Sequence, residues 1–206
     1  ILIVEDEGIV VLDIKRRLED LGYVVIGHVN AGTKAVDKAN EERPDLILMD
    51  IKLQGKMDGI DAAEQINELD IPIVYLTAFA DNATLNRAKI TEPFGYILKP
   101  FEQRELHTAI QIALHNHKLS QEIKKNQKWL AATLSGIGDA VIATNREYEI
   151  EFINPVAKNL LGWQASEMIG NDVHKFLQFF RLQDESEIDA PIKECIKGNS
   201  MVASDE

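Results

Sequence analysis

The sequence predicts a doubly wound α/β domain built on a five-stranded parallel sheet, followed by a long helix and then part of a smaller α+β domain. Three observations carry this expectation. From Ile1 to about Leu98, short apolar runs alternate strictly with segments of helical period, the pattern of parallel strands joined by right-handed crossovers. From Glu102 to about Thr133 there is neither Pro nor Gly. Beyond Trp129 the pattern becomes one of alternation broken by turn residues, which belongs to hairpins and short helices rather than to the first sheet.

The strands read at Ile1–Val4, Tyr23–His28, Asp45–Asp50, Ile71–Leu76 and Phe94–Leu98. Their cores are continuous in Ile, Leu and Val rather than alternating, so they are expected to be buried on both faces. Val10, Ile14, Leu18 and Leu21 lie at helical spacing and end at Gly22, a residue suited to a left-handed C-cap. A second helix is expected from about Gly32 to Glu42, stopping before Pro44. A third carries Ile60, Ala63, Ile66 and Asn67, and a fourth covers roughly Asp81 to Lys89.

The stretch after Pro100 predicts a helix about 45 Å long, too long to pack wholly on so small a domain. Ala109, Ile112, Asn116, Leu119, Ile123, Asn126, Leu130 and Thr133 alternate spacings of three and four. That is coiled-coil periodicity, in which Asn116 and Asn126 would fix register at some cost in stability. The plainer alternative is a surface helix followed by a solvated linker. Further on, Asp139–Asn145 and Glu147–Asn154 read as a hairpin turning at Asn145-Arg146. Asn154-Pro155 reads as an N-cap followed by Pro in the first turn. Short helices are expected at Val156–Leu161, Ala165–Ile169 and Pro191–Lys197. The expected boundaries are 1–118 for the sheet domain, 119–133 for the helical linker and 134–206 for the second domain.

The 206 residues carry a net charge of −12, which argues against binding nucleic acid or an anionic membrane. A single cysteine, Cys195, rules out an internal disulfide and favours a reducing compartment. No apolar stretch approaches the ~18 residues of a membrane span, and no signal peptide is visible, so a cytoplasmic location is expected. The sequence starts at Ile1, without Met and already inside an apolar run, so further residues are expected ahead of it.

Four strand ends carry the chemistry. Glu5-Asp6 follow the first apolar run, Asp50 ends the third, Thr77-Ala78 follow the fourth, and Lys99-Pro100 follow the fifth. Ligands of such sheets bind outside the carboxyl ends of the strands, so these residues are expected to converge. Glu5, Asp6 and Asp50 would crowd three carboxylates together, which favours a hard divalent cation, Mg2+ or Mn2+, with oxygen ligands. Asp50 is then placed to act as a nucleophile on phosphorus, and Lys99 to offer an ammonium to a phosphoryl oxygen. The Thr77 hydroxyl and the Ala78 amide are further donors. Each residue alone has a structural explanation, as a helix cap, a loop cap or a surface charge; four in this order do not.

Residues Ile1 to about Leu114 resemble the receiver domain of two-component response regulators, a flavodoxin-like fold. The matching pieces are Val4-Glu5-Asp6-Glu7, Leu48-Met49-Asp50, Met57-Asp58-Gly59, Thr77-Ala78, Tyr96 and Lys99-Pro100-Phe101. The resemblance implies that Asp50 accepts a phosphoryl group from a histidine kinase. It implies Mg2+ held by Asp6, Asp50 and the backbone carbonyl of Lys52, with Glu5 acting through water. It also implies a switch pair, Thr77 and Tyr96, and a cis Lys99-Pro100 peptide. One departure is the stretch Ile51–Met57, which lacks a proline and is one residue longer than the pattern. Residues 134–206 resemble the N-terminal half of a PAS sensor domain, through Leu134–Ile142, Phe152–Ala157, Leu161-Gly162-Trp163 and Glu167–Gly170. Its ligand is not legible: Cys195 lacks the flavin-photoadduct context, and His174 is displaced from the haem-ligating position of relatives.

The combined expectation is a phosphorylation-controlled signalling protein, dimeric through helix 102–133, with an output domain beyond Glu206. The alternatives are a fragment of a hybrid sensor histidine kinase or an aspartyl-phosphate phosphatase. The phosphatase motif needs an acid two residues after the nucleophile, where this chain has Lys52. A phosphoacceptor among His107, His115 and His117 lacks a kinase-like context.

Overall fold

The computed structural model describes residues 1–78 and 82–177, without the side chains of residues 82, 83 and 85. The start of the fourth predicted helix at Asp81, the predicted helix Pro191–Lys197 and Cys195 lie outside the described residues. The chain divides into two compact units, Ile1–Lys124 and Lys125–Glu206.

In the first unit, strands β1 (Leu2–Val4), β2 (Gly27–Val29), β3 (Ile47–Asp50), β4 (Ile73–Thr77) and β5 (Gly95–Leu98) form one parallel sheet in the order β2-β1-β3-β4-β5. Helices α1 (Gly8–Asp20), α2 (Gly32–Glu42), α3 (Gly59–Ile66), α4 (Asn82–Ile90) and α5 (Gln103–Gly136) connect and follow the strands. Successive strand residues serve opposite faces, as the pleat requires. Leu2, Val4, Ile47, Met49 and Tyr75 pack with Ala35, Ala39, Ile60, Ala63, Ile66 and Ala88 of α2, α3 and α4. Ile3, Leu46, Leu48, Val74, Leu76 and Ile97 pack with Ile14 and Leu18 of α1 and with Leu106, Ile110 and Ala113 of α5. That two-sided burial is why the strands read as unbroken apolar runs.

The second strand is shorter than the predicted Tyr23–His28. The Tyr23 amide closes the end of α1 by donating to the Leu18 carbonyl at 2.9 Å, beside Gly22 at φ +83°. The Ile1 ammonium takes the Val24 carbonyl at 2.7 Å. Only from Gly27 does the chain run in register with Leu2. Val24 is 75% exposed, an apolar residue in a connection rather than in the sheet.

The fourth strand ends at Thr77, one residue later than expected, because Thr77 pairs with Leu98 and its carbonyl accepts from the Lys99 amide at 2.7 Å. The Lys99-Pro100 peptide is cis, as the resemblance implied. Helix α5 is 34 residues long and continuous. It is docked on the sheet by Leu106, Ile110 and Ala113, whereas Ile112, Leu119, Ile123 and Leu130 of the predicted seam are exposed. Among the described residues no helix is long and apolar enough to cross a membrane.

In the second unit, β6 (Ile142–Thr144) and β7 (Ile150–Ile153) form the expected antiparallel hairpin, with an irregular register at Ala143/Thr144. The turn is built by Asn145, whose Oδ1 accepts from the Glu147 and Glu149 amides at 3.0 and 2.9 Å, an Asx turn. Helix α6 (Pro155–Leu161) begins on Asn154 and ends at Gly162, φ +75°. Helix α7 (Ala165–Met168) and the stretch to Val173 close a small core of Ile150, Ile153, Ala157, Met168 and Val173.

Candidate functional site

Strand order reverses direction between β1 and β3, and in open α/β sheets this switch point opens a crevice at the carboxyl ends. Glu5 follows β1 and Asp50 is the last residue of β3, so both acids stand on that crevice. One carboxylate oxygen from each of Glu5, Asp6 and Asp50 lies within 4.8 Å of the other two. The three carboxylates predicted to hold a metal are therefore brought together. Lys99 reaches them from the end of β5: its Nζ donates to Glu5 Oε2 and to Asp50 Oδ2, each at 2.5 Å. Asp50 Oδ1 accepts from the Lys52 amide at 3.0 Å, and Glu5 Oε1 accepts from the Glu7 amide at 3.2 Å.

Glu5 and Asp50 thus share one ammonium, with the Asp6 carboxylate beside them, in a place with little water: Glu5 is 0% exposed and Asp50 7%. Burial pushes the Glu5 carboxyl above its ordinary range; the Lys99 hydrogen bond opposes this, and the Asp50 charge reinforces it. For Lys99, burial pulls the ammonium down, but its bonds to Asp50 and Glu5 outweigh that and hold it above its ordinary value. A hard divalent cation with oxygen ligands fits this donor set, because it would supply the positive charge the cluster lacks.

Thr77 is buried at the end of β4, one strand from Asp50. Tyr96 on β5 is 38% exposed, and its ring lies 5.8 Å from that of Tyr75. Glu7 occupies the N-cap of α1 without a side-chain cap bond, so its amide rather than its carboxylate serves the site. Sequence reasoning gave no role to Tyr75, yet its hydroxyl meets Thr91 Oγ1 at 2.8 Å, just beyond α4. A tyrosine inside an otherwise aliphatic strand was the available signal. Gly59 was legible as a motif letter, but its reason is tertiary: a Cβ there would lie 1.9 Å from the Asp50 carbonyl oxygen.

A parallel sheet with an acid cluster and a lysine at its switch point is the architecture of a phosphoryl-accepting signalling domain. Residues 1–111 match the response regulator receiver domain family, and the chain belongs to that family. Over 115 residues it is 39% identical to the transcriptional regulatory protein PdtaR of Mycobacterium tuberculosis, a match covering 55% of this chain and 56% of PdtaR. The chain thus spans little more than half the length of this relative. The N-terminal domain of a response regulator/sensory box/GGDEF three-domain protein from Carboxydothermus hydrogenoformans superposes with a TM-score of 0.54 at 34% identity. That match covers 58% of this chain and 96% of that one. The receiver domain of the sensor histidine kinase PA1611 from Pseudomonas aeruginosa, solved with Mg2+ in its active-site cleft, superposes with a TM-score of 0.51 at 33% identity. It covers 55% of this chain and 95% of that domain. Receiver domains act in two-component signalling, bind Mg2+ at an acidic site and are phosphorylated by cognate histidine kinases.

Proposed function

We propose that Asp50 is the phosphoacceptor of this receiver, and that its phosphorylation is passed through α5 to a PAS domain and a further output domain. The supporting observation is the Lys99 ammonium, bonded at 2.5 Å to both Glu5 and Asp50 within the acid cluster. An Asp50 carboxylate oxygen attacks phosphorus. The bond from phosphorus to the imidazole nitrogen of the kinase phosphohistidine breaks, its electron pair returns to that nitrogen, and an acyl phosphate results. Asp6, Asp50 and the Lys52 carbonyl would hold the cation, with Glu5 behind them; Mg2+ or Mn2+, when bound, offsets the charge of the transferring oxygens. Lys99 moves from Asp50 to a phosphoryl oxygen, and the Thr77 hydroxyl can follow, freeing room into which Tyr96 turns. A cleft of about 620 Å3 beside Lys99, edged by Ile9, Val10 and Phe101, leaves a kinase access to the site.

The full chain incubated with acetyl phosphate and Mg2+ should gain one base-labile phosphate, and Asp50→Asn should gain none. Equal labelling of Asp50→Asn would refute the assignment. Asp6→Asn should abolish the metal dependence.

Support for a PAS domain comes from the hairpin, the Asn154-capped helix and the small core they enclose. The Carboxydothermus protein likewise carries a sensory box with its receiver. A cytoplasmic setting is proposed for the whole. The second copy is proposed from α5: Leu119, Ile123 and Leu130 are 44%, 58% and 53% exposed along one stripe. Burying each would contribute roughly 1.5–3 kcal/mol, enough together to join two helices. Light scattering should report a dimer for the full chain and a monomer for Leu119→Asp/Ile123→Asp.

A further inference from the structure

Arg87 on α4 grips both acids at the start of α3. Its Nη1 donates to Asp58 Oδ2 at 2.9 Å and its Nη2 to Asp61 Oδ1 at 2.8 Å. Those two acids form the capping box of α3. Asp58 Oδ1 accepts from the Ile60 and Asp61 amides at 3.0 and 2.8 Å, and Asp61 Oδ2 accepts from the Asp58 amide at 3.4 Å. Each aspartate therefore gives one oxygen to the helix and the other to Arg87. Two carboxylates at one helix start suit the helix dipole but repel each other, and the guanidinium offsets that repulsion with the planar fork only Arg has.

The residue next to the cap gives this grip its consequence. Gly59 donates its amide to the Ile51 carbonyl at 3.0 Å and lies so close to Asp50 that a Cβ would meet the Asp50 carbonyl oxygen at 1.9 Å. The loop from Ile51 to Asp58 is thus closed at its base against the backbone of Asp50, and it presents the Lys52 amide to Asp50 Oδ1. This loop carries no proline, so it lacks that constraint on its backbone. An isolated surface ion pair does little for stability, but a fork across two carboxylates already engaged in a cap acts as one network.

We propose that Arg87 is a positioning residue for phosphoryl transfer, which fixes the loop between Ile51 and Asp58 through the α3 capping box and ties α4 to the phosphoacceptor strand. The inference rests on the reading of Asp50 as phosphoacceptor. It extends that reading, because Arg87 is bonded to Asp58 and Asp61 rather than to the acid cluster or Lys99.

The test uses the full chain, acetyl phosphate and Mg2+, with Asp50→Asn as the reference for the underlying reading. Arg87→Ala should lower the maximal rate of labelling about tenfold, the scale of a modest misplacement of reacting groups. The half-saturating acetyl phosphate concentration should stay unchanged. Arg87→Lys, which keeps the charge but not the fork, should fall between. Asp61→Ala should also slow labelling, and the double variant Arg87→Ala/Asp61→Ala should lose clearly less than the product of the two single losses, since the two changes share the Arg87–Asp61 link. Circular dichroism at the assay temperature identifies the folded variants. If Arg87→Ala does not fold, Arg87→Lys and Asp61→Ala carry the same comparison. Labelling at the wild-type rate in the folded Arg87 variants, or fully multiplicative losses in the double variant, would overturn the proposal. Failure of the wild type to label, or equal labelling of Asp50→Asn, would instead remove the reading beneath it.

Discussion

Two buried polar nodes, one in each unit, show what separates a structural site from a reactive one. Asn154 in the second unit is 0% exposed and spends its whole hydrogen-bonding capacity inside the fold. Its Oδ1 accepts from the Val141 and Ala157 amides at 3.0 and 2.9 Å, and its Nδ2 donates to the Leu134 and Asp139 carbonyls at 3.2 and 2.9 Å. Two donors and two acceptor sites are all that an amide owns. Glu5, in the first unit, is equally buried, yet it shares one Lys99 ammonium with Asp50 and has Asp6 beside it. One node is neutral and saturated. The other carries surplus negative charge that the protein alone does not neutralise, and it therefore suits a divalent cation.

The sharpest way to break this contrast is to remove Lys99. In the metal-free protein, Lys99→Met should cost about 3 kcal/mol, as for stripping the partner from a buried charge. Mg2+ should restore most of that, because it binds only the folded cluster. Labelling by acetyl phosphate should drop about 100-fold, the scale for losing one preorganised donor. Denaturant titrations with and without Mg2+ measure the first effect. If Lys99→Met is as stable as the wild type in EDTA, the cluster is not short of positive charge and the comparison fails.

Asn154→Ala should cost less, about 2 kcal/mol, from a lost helix cap and from buried carbonyls and amides left without partners. The loss should appear in the second unit alone, as faster hydrogen exchange at Val141 and Ala157. Mg2+ should not reverse it, and the labelling rate at Asp50 should be unaffected. A slowed labelling rate would mean that the two nodes are coupled.

The reactive node was legible in the sequence to a degree that the structural links around it were not. Glu5, Asp50, Thr77 and Lys99 each end or follow an apolar run, and a parallel sheet gathers its strand ends whatever the lengths of the intervening helices. The hairpin and Asn154 were legible because alternation and an Asn-Pro cap are local signals. Tyr23–Ile26 misled because Tyr23 and Val25 are apolar enough for a strand, yet they pack against the α1 and α5 side of the core while the backbone still closes α1. Arg87 and the two aspartates it holds are 29 and 26 residues apart, and no periodicity pairs them. In α5 the docking stripe of Leu106, Ile110 and Ala113 runs beside the predicted seam, one helical face apart. The seam was read from its spacing, whereas the docking stripe is set by the sheet it packs on.

A pH titration separates the two nodes in a further way. The folded Glu5 carboxyl is held above its ordinary 4.5 by burial, so in the metal-free protein the native state keeps a proton that the unfolded chain releases. Its contribution to stability is complete below the unfolded value and is lost as pH rises through the folded one. The metal-free wild type should therefore lose stability on going upward through the window just above pH 4.5, against the usual trend for acids. Glu5→Gln should flatten that segment of the curve, and Asn154→Ala should leave its shape alone. Parallel curves for wild type and Glu5→Gln would show that Glu5 is not the group responsible.

The smallest effect belongs to a third polar group, Asp70, which resembles neither node because it is exposed. It follows a short 3-10 turn in the left-handed region at φ +55°. It meets α5 beyond the docked turns, accepting from Lys124 Nζ at 2.9 Å and Gln121 Nε2 at 3.2 Å, with His117 Nε2 at 3.7 Å. The hydrogen bond from Lys124 holds its carboxyl below the ordinary 3.8 despite slight desolvation. Its contribution is thus present above pH 3.8 and disappears as pH falls through the folded value, the reverse of Glu5. With the Asp70 side chain 46% exposed and Lys124 58% exposed, water and salt screen the pair, and the change belongs in the range of about 0–1 kcal/mol. Asp70→Asn isolates it, since Asn tolerates the same backbone while losing the charge. Hydrogen exchange at Gln121 to Lys124 should quicken slightly in this variant, and 1 M salt should bring the wild type to the same rate. A large, salt-resistant change would mean that Asp70 anchors the outgoing helix as firmly as the buried nodes hold their own elements.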